Sequence, residues 1–252
     1  MSVPVWKPMK KTRTNKKNTR DIILLVLRPL VLGLAVLFLF LGLQRTNSLR
    51  NYGIDVSEHQ GKIKWGSVSN AGVSFAVIRC GYRSYDDGSL HVDDRFKRNM
   101  HRAWFCNIHR GVYFYSQATN VEEAQEEAAF VLDAVGNAKL EYPIFLDVED
   151  TGTGGAGRAD GLTAAERTRV VQAFCDAVEA EGYEAGVYSN AWYLTHSLDP
   201  AKLDGVRFWV AEYVEGSKMQ LWTGSWDLWQ YTQEGEVSGI DGAVDLNRYP
   251  AD

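Results

Sequence analysis

The chain has 252 residues, 45% of them hydrophobic and 23% charged, with a formal net charge of −5. That length and apolar share suffice for one barrel-sized core and exclude general disorder. The charge is uneven: the first 50 residues hold ten Lys or Arg and one acid, and the remaining 202 hold 17 basic and 31 acidic side chains, a net of −14. Such a balance excludes a nucleic-acid footprint on the larger part.

In chain order, residues 1–21 form a basic tail in which Lys7, Lys10, Lys11, Arg13, Lys16, Lys17 and Arg20 precede any acid. Ile22 to Leu43 is then apolar except for Arg28, two glycines and Pro29. As a helix it measures roughly 33 Å, enough to cross a hydrocarbon core of about 30 Å. A single transmembrane signal anchor is expected, with the basic tail in the cytoplasm and everything beyond it outside. The competing reading is a cleaved signal peptide with Val31 to Leu43 as its apolar region, which would secrete the remainder; no small-x-small cleavage site follows. A short linker, residues 44–51, leads into a domain expected to cover residues 52–252.

Within that domain, short apolar runs of strand length alternate with helical stretches. Tyr52 to Val56, Phe75 to Arg79, Gly111 to Tyr115, Ile144 to Val148 and Ala185 to Tyr188 are expected strands. Helices are expected over Val92 to Cys106, with Phe96, Met100 and Trp104 on one face, and over Val121 to Val135, opened by Asn120. Leu162 to Glu181 begins with the capping box Thr163 to Glu166. Three further strands follow, at Phe208 to Ala211, Leu228 to Tyr231 and Ala243 to Leu246, without a long helical pattern between the last two. Five strand-helix units and three bare strands predict an α/β fold, an irregular TIM-like (β/α)5(β)3 barrel.

Carboxylates gather where such a barrel opens. In "IFLDVED" alternation sends Asp147 and Glu149 to one side and Val148 and Asp150 to the other. Asp55 lies at the end of the first strand and Asp245 in the last, and closure makes those strands neighbours. Each acid alone reads most plainly as a loop cap or an arginine partner. Four converging at one mouth would repel one another and hold at least one proton near neutrality, as a general acid at a glycosidic oxygen requires.

Aromatic side chains supply flat faces suited to sugar rings. Tyr82, Tyr113, Tyr115, Tyr188, Trp209, Tyr213, Trp229 and Tyr231 fall at or near strand ends, and core packing accounts for about half of them. All but Tyr113 are candidate substrate-binding residues. The five histidines are scattered, with only His59 near an expected strand end, and neither a Cys-x-x-Cys pair nor an EF-hand loop occurs. No metal and no cofactor is expected. Cys80, Cys106 and Cys175 each sit in an apolar run and read as buried thiols, a Cys80–Cys106 bridge being the alternative.

Gly53 to Ser57, His59 to Gly61, "FAVIRCGY", "GVYFYS", Pro143 to Asp150, "GVYSN", "WVAEY", "WQY" and "GIDGAVDLN" together resemble, in order and spacing, glycoside hydrolase family 25, the Chalaropsis-type lysozymes. The resemblance spans about Tyr52 to Tyr249. It implies an N-acetylmuramidase that cleaves the β-1,4 bond between N-acetylmuramic acid and N-acetylglucosamine, with Glu149 as proton donor and Asp147, Asp55 and Asp245 as the other active-site acids. The expected partner is peptidoglycan, cleaved locally, with a wall-spanning assembly as a further candidate partner. A non-catalytic glycan-binding module and a glycosidase of related glycans such as chitin are the alternatives. The Gly-rich segment "TGTGGAGRADG" after Asp150 departs from the family pattern and reads as a mobile loop.

Overall fold

The computed structural model describes Gly33 and residues 52–216 and 218–250. The basic tail, the expected anchor apart from Gly33, and the linker lie outside the described residues. Among the described residues no helix is long and apolar enough to cross a membrane. Residues 49–252 form a compact unit of their own.

Eight strands close into a barrel. They are β1 (Tyr52–Val56), β2 (Phe75–Arg83), β4 (His109–Tyr115), β5 (Ile144–Asp147), β6 (Ala185–Asn190), β7 (Arg207–Ala211), β8 (Leu228–Gly235) and β9 (Val244–Arg248), while a ninth, β3 (Leu90–Val92), hangs on the edge of β2. Neighbours run parallel from β1 round to β8, and β9 lies antiparallel to both β8 and β1. The expected eight-stranded closure is what forms, with helices after each of the first five barrel strands: α1 (Trp65–Asn70), α2 (Phe96–Phe105), α3 (Val121–Val135), α4 (Ala164–Ala180) and α5 (Ala191–His196).

Alternation along the strands makes two apolar layers. Phe75, Val77, Phe145, Tyr188, Trp209, Ala211 and Leu228 fill the barrel, whereas Ile54, Ile78, Phe114, Leu146 and Val187 face outward onto the helices. Phe174 of α4 is fully buried in the outer layer. Phe174→Ala is expected to cost about 3–5 kcal/mol, read as a lower denaturant midpoint at unchanged slope.

Helix starts follow the caps in the sequence. Asn120 accepts the Glu123 N–H at 2.9 Å, and Thr163 with Glu166 forms the reciprocal capping box. The helix expected from Val92 begins only at Phe96, because Leu90 to Val92 pairs as a strand with Gly81 to Arg83. The bulge after Arg79 brings the β3 backbone so close that a Cβ at Gly81 would sit 2.1 Å from the His91 carbonyl oxygen. Only glycine fits there. All three cysteines are free thiols, so the Cys80–Cys106 bridge is not formed.

Candidate active site

The seven parallel barrel strands end at one mouth, and β9, running the other way, begins there. This is why Asp245, second in its strand, lies directly opposite Asp55, fourth in β1. Asp147 ends β5, between Tyr115 of β4 and Tyr188 of β6. The chain beyond it stays pinned: Ser116 N–H donates to the Asp147 carbonyl at 2.9 Å, Val148 N–H donates to the Tyr188 carbonyl at 3.0 Å, and Ser189 hydroxyl donates to the Val148 carbonyl. Val148 is buried in the outer layer. Glu149 is thereby held on the same side as Asp147, as the alternation predicts.

The four acids press on one another. Burial, then the charge of Asp245 and then that of Asp150, lift the Glu149 carboxyl to about 7. Asp147 is raised well above the usual carboxylate range by burial, by Glu149 and by Asp55, with Arg79 pulling the other way. Its Oδ1 is buried with no hydrogen-bond partner. Such an oxygen carries a desolvation cost unless a ligand meets it.

Asp55 and Asp245 act as a pair. Asp55 is raised well above its usual range by burial and by Asp245, and Asp245 is raised by burial while a hydrogen bond between the two carboxyls raises Asp55 and lowers Asp245. Side by side, two such groups are expected to share one proton. Asp55 Oδ2 also accepts from Asn247 Nδ2 at 2.7 Å and Gln230 Nε2 at 2.9 Å.

The aromatic candidates divide. Tyr82, past the bulge, lines up with Tyr115 and stacks on His91 with centroids 4.9 Å apart. Tyr188 and Tyr213 both donate to Gln230 Oε1, at 2.9 and 2.6 Å, and Tyr213 is 48% exposed at the rim. Trp209 is only 1% exposed and donates through Nε1 to Asn247 Oδ1 at 2.8 Å. It is the floor of the site and offers no free face.

Trp229 and Tyr231 are on the wrong side of β8 for the mouth, because Gln230 between them takes the inward place. Trp229 packs in the outer layer with Arg248 3.7 Å above its ring, and Tyr231 lies against the same guanidinium at 5.4 Å. Trp229 instead lines an outer recess of about 600 Å³ with Trp222 and Trp226.

Reading acids and aromatics passed over Gln230, Asn247, Arg79 and Tyr113. Asn247 is two residues beyond Asp245 and Gln230 opposes it in register, so strand parity was the available signal. Arg79 Nε contacts Asp93 at 2.8 Å and its Nη2 contacts Glu58 at 3.0 Å, which holds the cation beside the acid cluster. Tyr113 is half-buried beside Asp55, Asp147 and Asp245, and desolvation, then the charge of Asp55, raises its phenol well above its ordinary value. The segment after Asp150 is tied down: Asp160 accepts from Thr151 Oγ1 at 2.7 Å and from Gly157 N–H at 2.9 Å, and Arg158 pairs with Glu123 at 2.6 Å. Among the described residues no group of three or more His, Cys, Asp or Glu is arranged to hold a metal.

A half-buried acid that keeps its proton near neutrality, beside a buried carboxyl with an unpartnered oxygen, suits cleavage of a glycosidic bond. Comparison with known proteins agrees. Residues 54–240 match the model of glycosyl hydrolases family 25. Lysozyme M1 of Streptomyces globisporus is 30% identical over 207 residues, covering 78% of this chain and 67% of that protein. Among solved structures, the bacterial lysozyme of Streptomyces coelicolor superposes with a TM-score of 0.65 at 28% identity, over 79% of this chain and 91% of that one. The modular autolysin LytC of Streptococcus pneumoniae, solved in complex with a synthetic peptidoglycan ligand, gives 0.68 at 28% identity over 79% of this chain. This chain spans 46% of that autolysin's length. With a match over most of its length and a barrel that carries the acids on its strand ends, the chain belongs to glycosyl hydrolases family 25.

Proposed function

We propose that the chain is a lysozyme-type peptidoglycan hydrolase that cleaves the β-1,4 bond between N-acetylmuramic acid and N-acetylglucosamine. The observation that carries the reading is the proton held on Glu149 up to about 7, next to the unpartnered Asp147 oxygen. Glu149 gives that proton to the leaving oxygen. Asp147 either attacks the anomeric carbon or orients the substrate's own 2-acetamido oxygen to do so. Both routes predict retention at the anomeric carbon, and inverted product seen by NMR during turnover would overturn both. Asp55 and Asp245, with Gln230 and Asn247, form the opposite wall. Tyr82, Tyr115, Tyr188 and Tyr213 are the candidates to meet sugar.

The direct test is parallel digestion of peptidoglycan and chitin by the full chain. New reducing ends from peptidoglycan alone are expected; release from neither, with binding retained, would make the protein a glycan-binding module. Asp150→Asn is the control for register. Asp150 is exposed and accepts the Gly152 N–H at 2.7 Å. The variant is expected to keep activity within a few-fold, with the alkaline limb of the pH profile moved down because one charge that raises Glu149 is gone. A loss comparable to that of Glu149→Gln would mean Asp150 shares the chemistry.

The reading includes an uncleaved anchor at Ile22 to Leu43, supported by the basic residues before it. The eight residues between Leu43 and Tyr52 reach at most about 29 Å, so cleavage would be confined to glycan near the membrane. This suits local wall remodelling. Cell fractionation tests it: full-length protein in the membrane with the barrel open to external protease is expected, and a shortened protein in the medium would make residues 22–43 a cleaved signal.

A further inference from the structure

Helix α2 is out of character with the domain that carries it. In a region with 17 basic and 31 acidic side chains, it holds Lys97, Arg98 and Arg102 and no acid. Phe96, Asn99, Met100 and Ala103 are buried against the barrel. Lys97, His101, Trp104 and Phe105 follow one another at i, i+4, i+7 and i+8 on the opposite side, with Arg98 and Arg102 flanking them, and all six are exposed. Among the described residues none of the three cations forms an ion pair. Trp104 and Phe105 are 59% and 71% exposed, at adjacent positions. Nothing in the acid cluster at the mouth accounts for them.

Their place in the fold is informative. The turn after Phe105 leads to His109, the first residue of β4, whose N–H donates to Ser74 at 3.0 Å, and Ser74 N–H donates to the Tyr52 carbonyl at 2.9 Å. Trp104 and Phe105 therefore sit at the base of the barrel, the end at which the chain enters through Tyr52. Only eight residues separate Tyr52 from the apolar run ending at Leu43. Cations beside Trp and Phe on one helix face are the composition of a segment that lies in a bilayer interface.

We infer that the exposed face of α2 docks the flank of the barrel, down to its base, on an anionic phospholipid surface, Trp104 and Phe105 entering the headgroup layer and Lys97, Arg98 and Arg102 meeting lipid phosphates. The inference rests on the anchored reading above and goes beyond it: the helix runs from the mouth side back to the base, so one flank of the barrel is fixed on the membrane instead of swinging on its linker. The charge of the helix selects anionic lipid, at about fivefold in partitioning per cation.

The test uses the full chain in phosphatidylcholine vesicles with and without phosphatidylglycerol. Trp104 is one of eight tryptophans, so its emission is the difference between the wild type and Trp104→Phe. Brominated phosphatidylcholine is expected to quench that difference signal only when phosphatidylglycerol is also present, and Arg98→Glu with Arg102→Glu is expected to lower the docked fraction at least about 25-fold. Hydrolysis of soluble peptidoglycan fragments should stay unchanged in the charge variant, which shows that it folds. A chain that floats with the vesicles while Trp104 stays unquenched, or is quenched equally without phosphatidylglycerol, overturns the docking face and leaves the anchor standing. Flotation only on phosphatidylglycerol vesicles, lost in the charge variant, keeps the docking face and removes the anchor. Failure to float on either overturns both. If a soluble glycerol-phosphate polymer shields Trp104 from iodide as well as vesicles do, the face belongs to a wall polymer and the lipid assignment falls.

Discussion

Glu149→Gln is expected to lower kcat on peptidoglycan by about 10²–10⁴-fold while leaving the fold intact, since the amide matches the carboxyl in shape and has no proton to give. A decrease smaller than tenfold would remove Glu149 from the role of acid. The stability of the same variant gives a second, independent reading. Unfolded Glu149 loses its proton near its ordinary 4.5, and the folded protein holds it to about 7. Between those values the folded state binds a proton that the unfolded state has lost, so this residue's contribution to stability is lost as pH rises through the window. Well above pH 7 wild type carries the whole penalty and Glu149→Gln carries none, so the variant is expected to be more stable there by on the order of 3 kcal/mol. At pH 4 the two should unfold together. Enzyme activity should fall along the same alkaline limb, as the acid loses its proton.

Asp147→Asn is expected to cost about 10²–10³-fold in kcat with KM little changed, the loss typical of removing one preorganised group that acts on developing charge. The Asp147 Oδ1 is buried without a hydrogen-bond partner, which leaves that oxygen free to meet substrate. Because burial and neighbouring acids raise Asp147 well above its usual range, removing its charge relieves repulsion, and thermal stability at neutral pH should hold or rise. A fall in both kcat and Tm would instead make Asp147 a structural carboxylate. Stability gained with activity lost is the signature of a site held under electrostatic strain.

The barrel strands were legible because short apolar runs and the turn residues around them agreed. The acids were legible for a related reason: "DVED" breaks a buried strand at its end, where carboxylates are costly unless used. What was not legible came from parity and from short elements. In "LWQY" the eye goes to the two rings, but the barrel needs an inward hydrogen-bond donor for Asp55, and Gln230 takes that place at 2.9 Å. The strand Leu90–Val92 is too short to show a period, and its exposed residues gave no burial pattern, so Val92 was absorbed into the following helix. With it went His91, whose ring stacks on Tyr82 at the mouth. Helices α1 and α5, six residues each, are likewise below the length at which an amphipathic stripe can be read.

The reversed direction of β9 also settles how this barrel can be joined to other things. Seven strands climb and one returns, so Tyr52 and Arg248 are register partners at the same end. A tag or a second domain attached after Pro250 emerges at the base and leaves the substrate opening clear. A short bridge from residue 250 back to residue 52 would close the polypeptide into a ring, and cutting that ring at an exposed turn such as Tyr85 to Asp87 would move both ends to new places without breaking a strand.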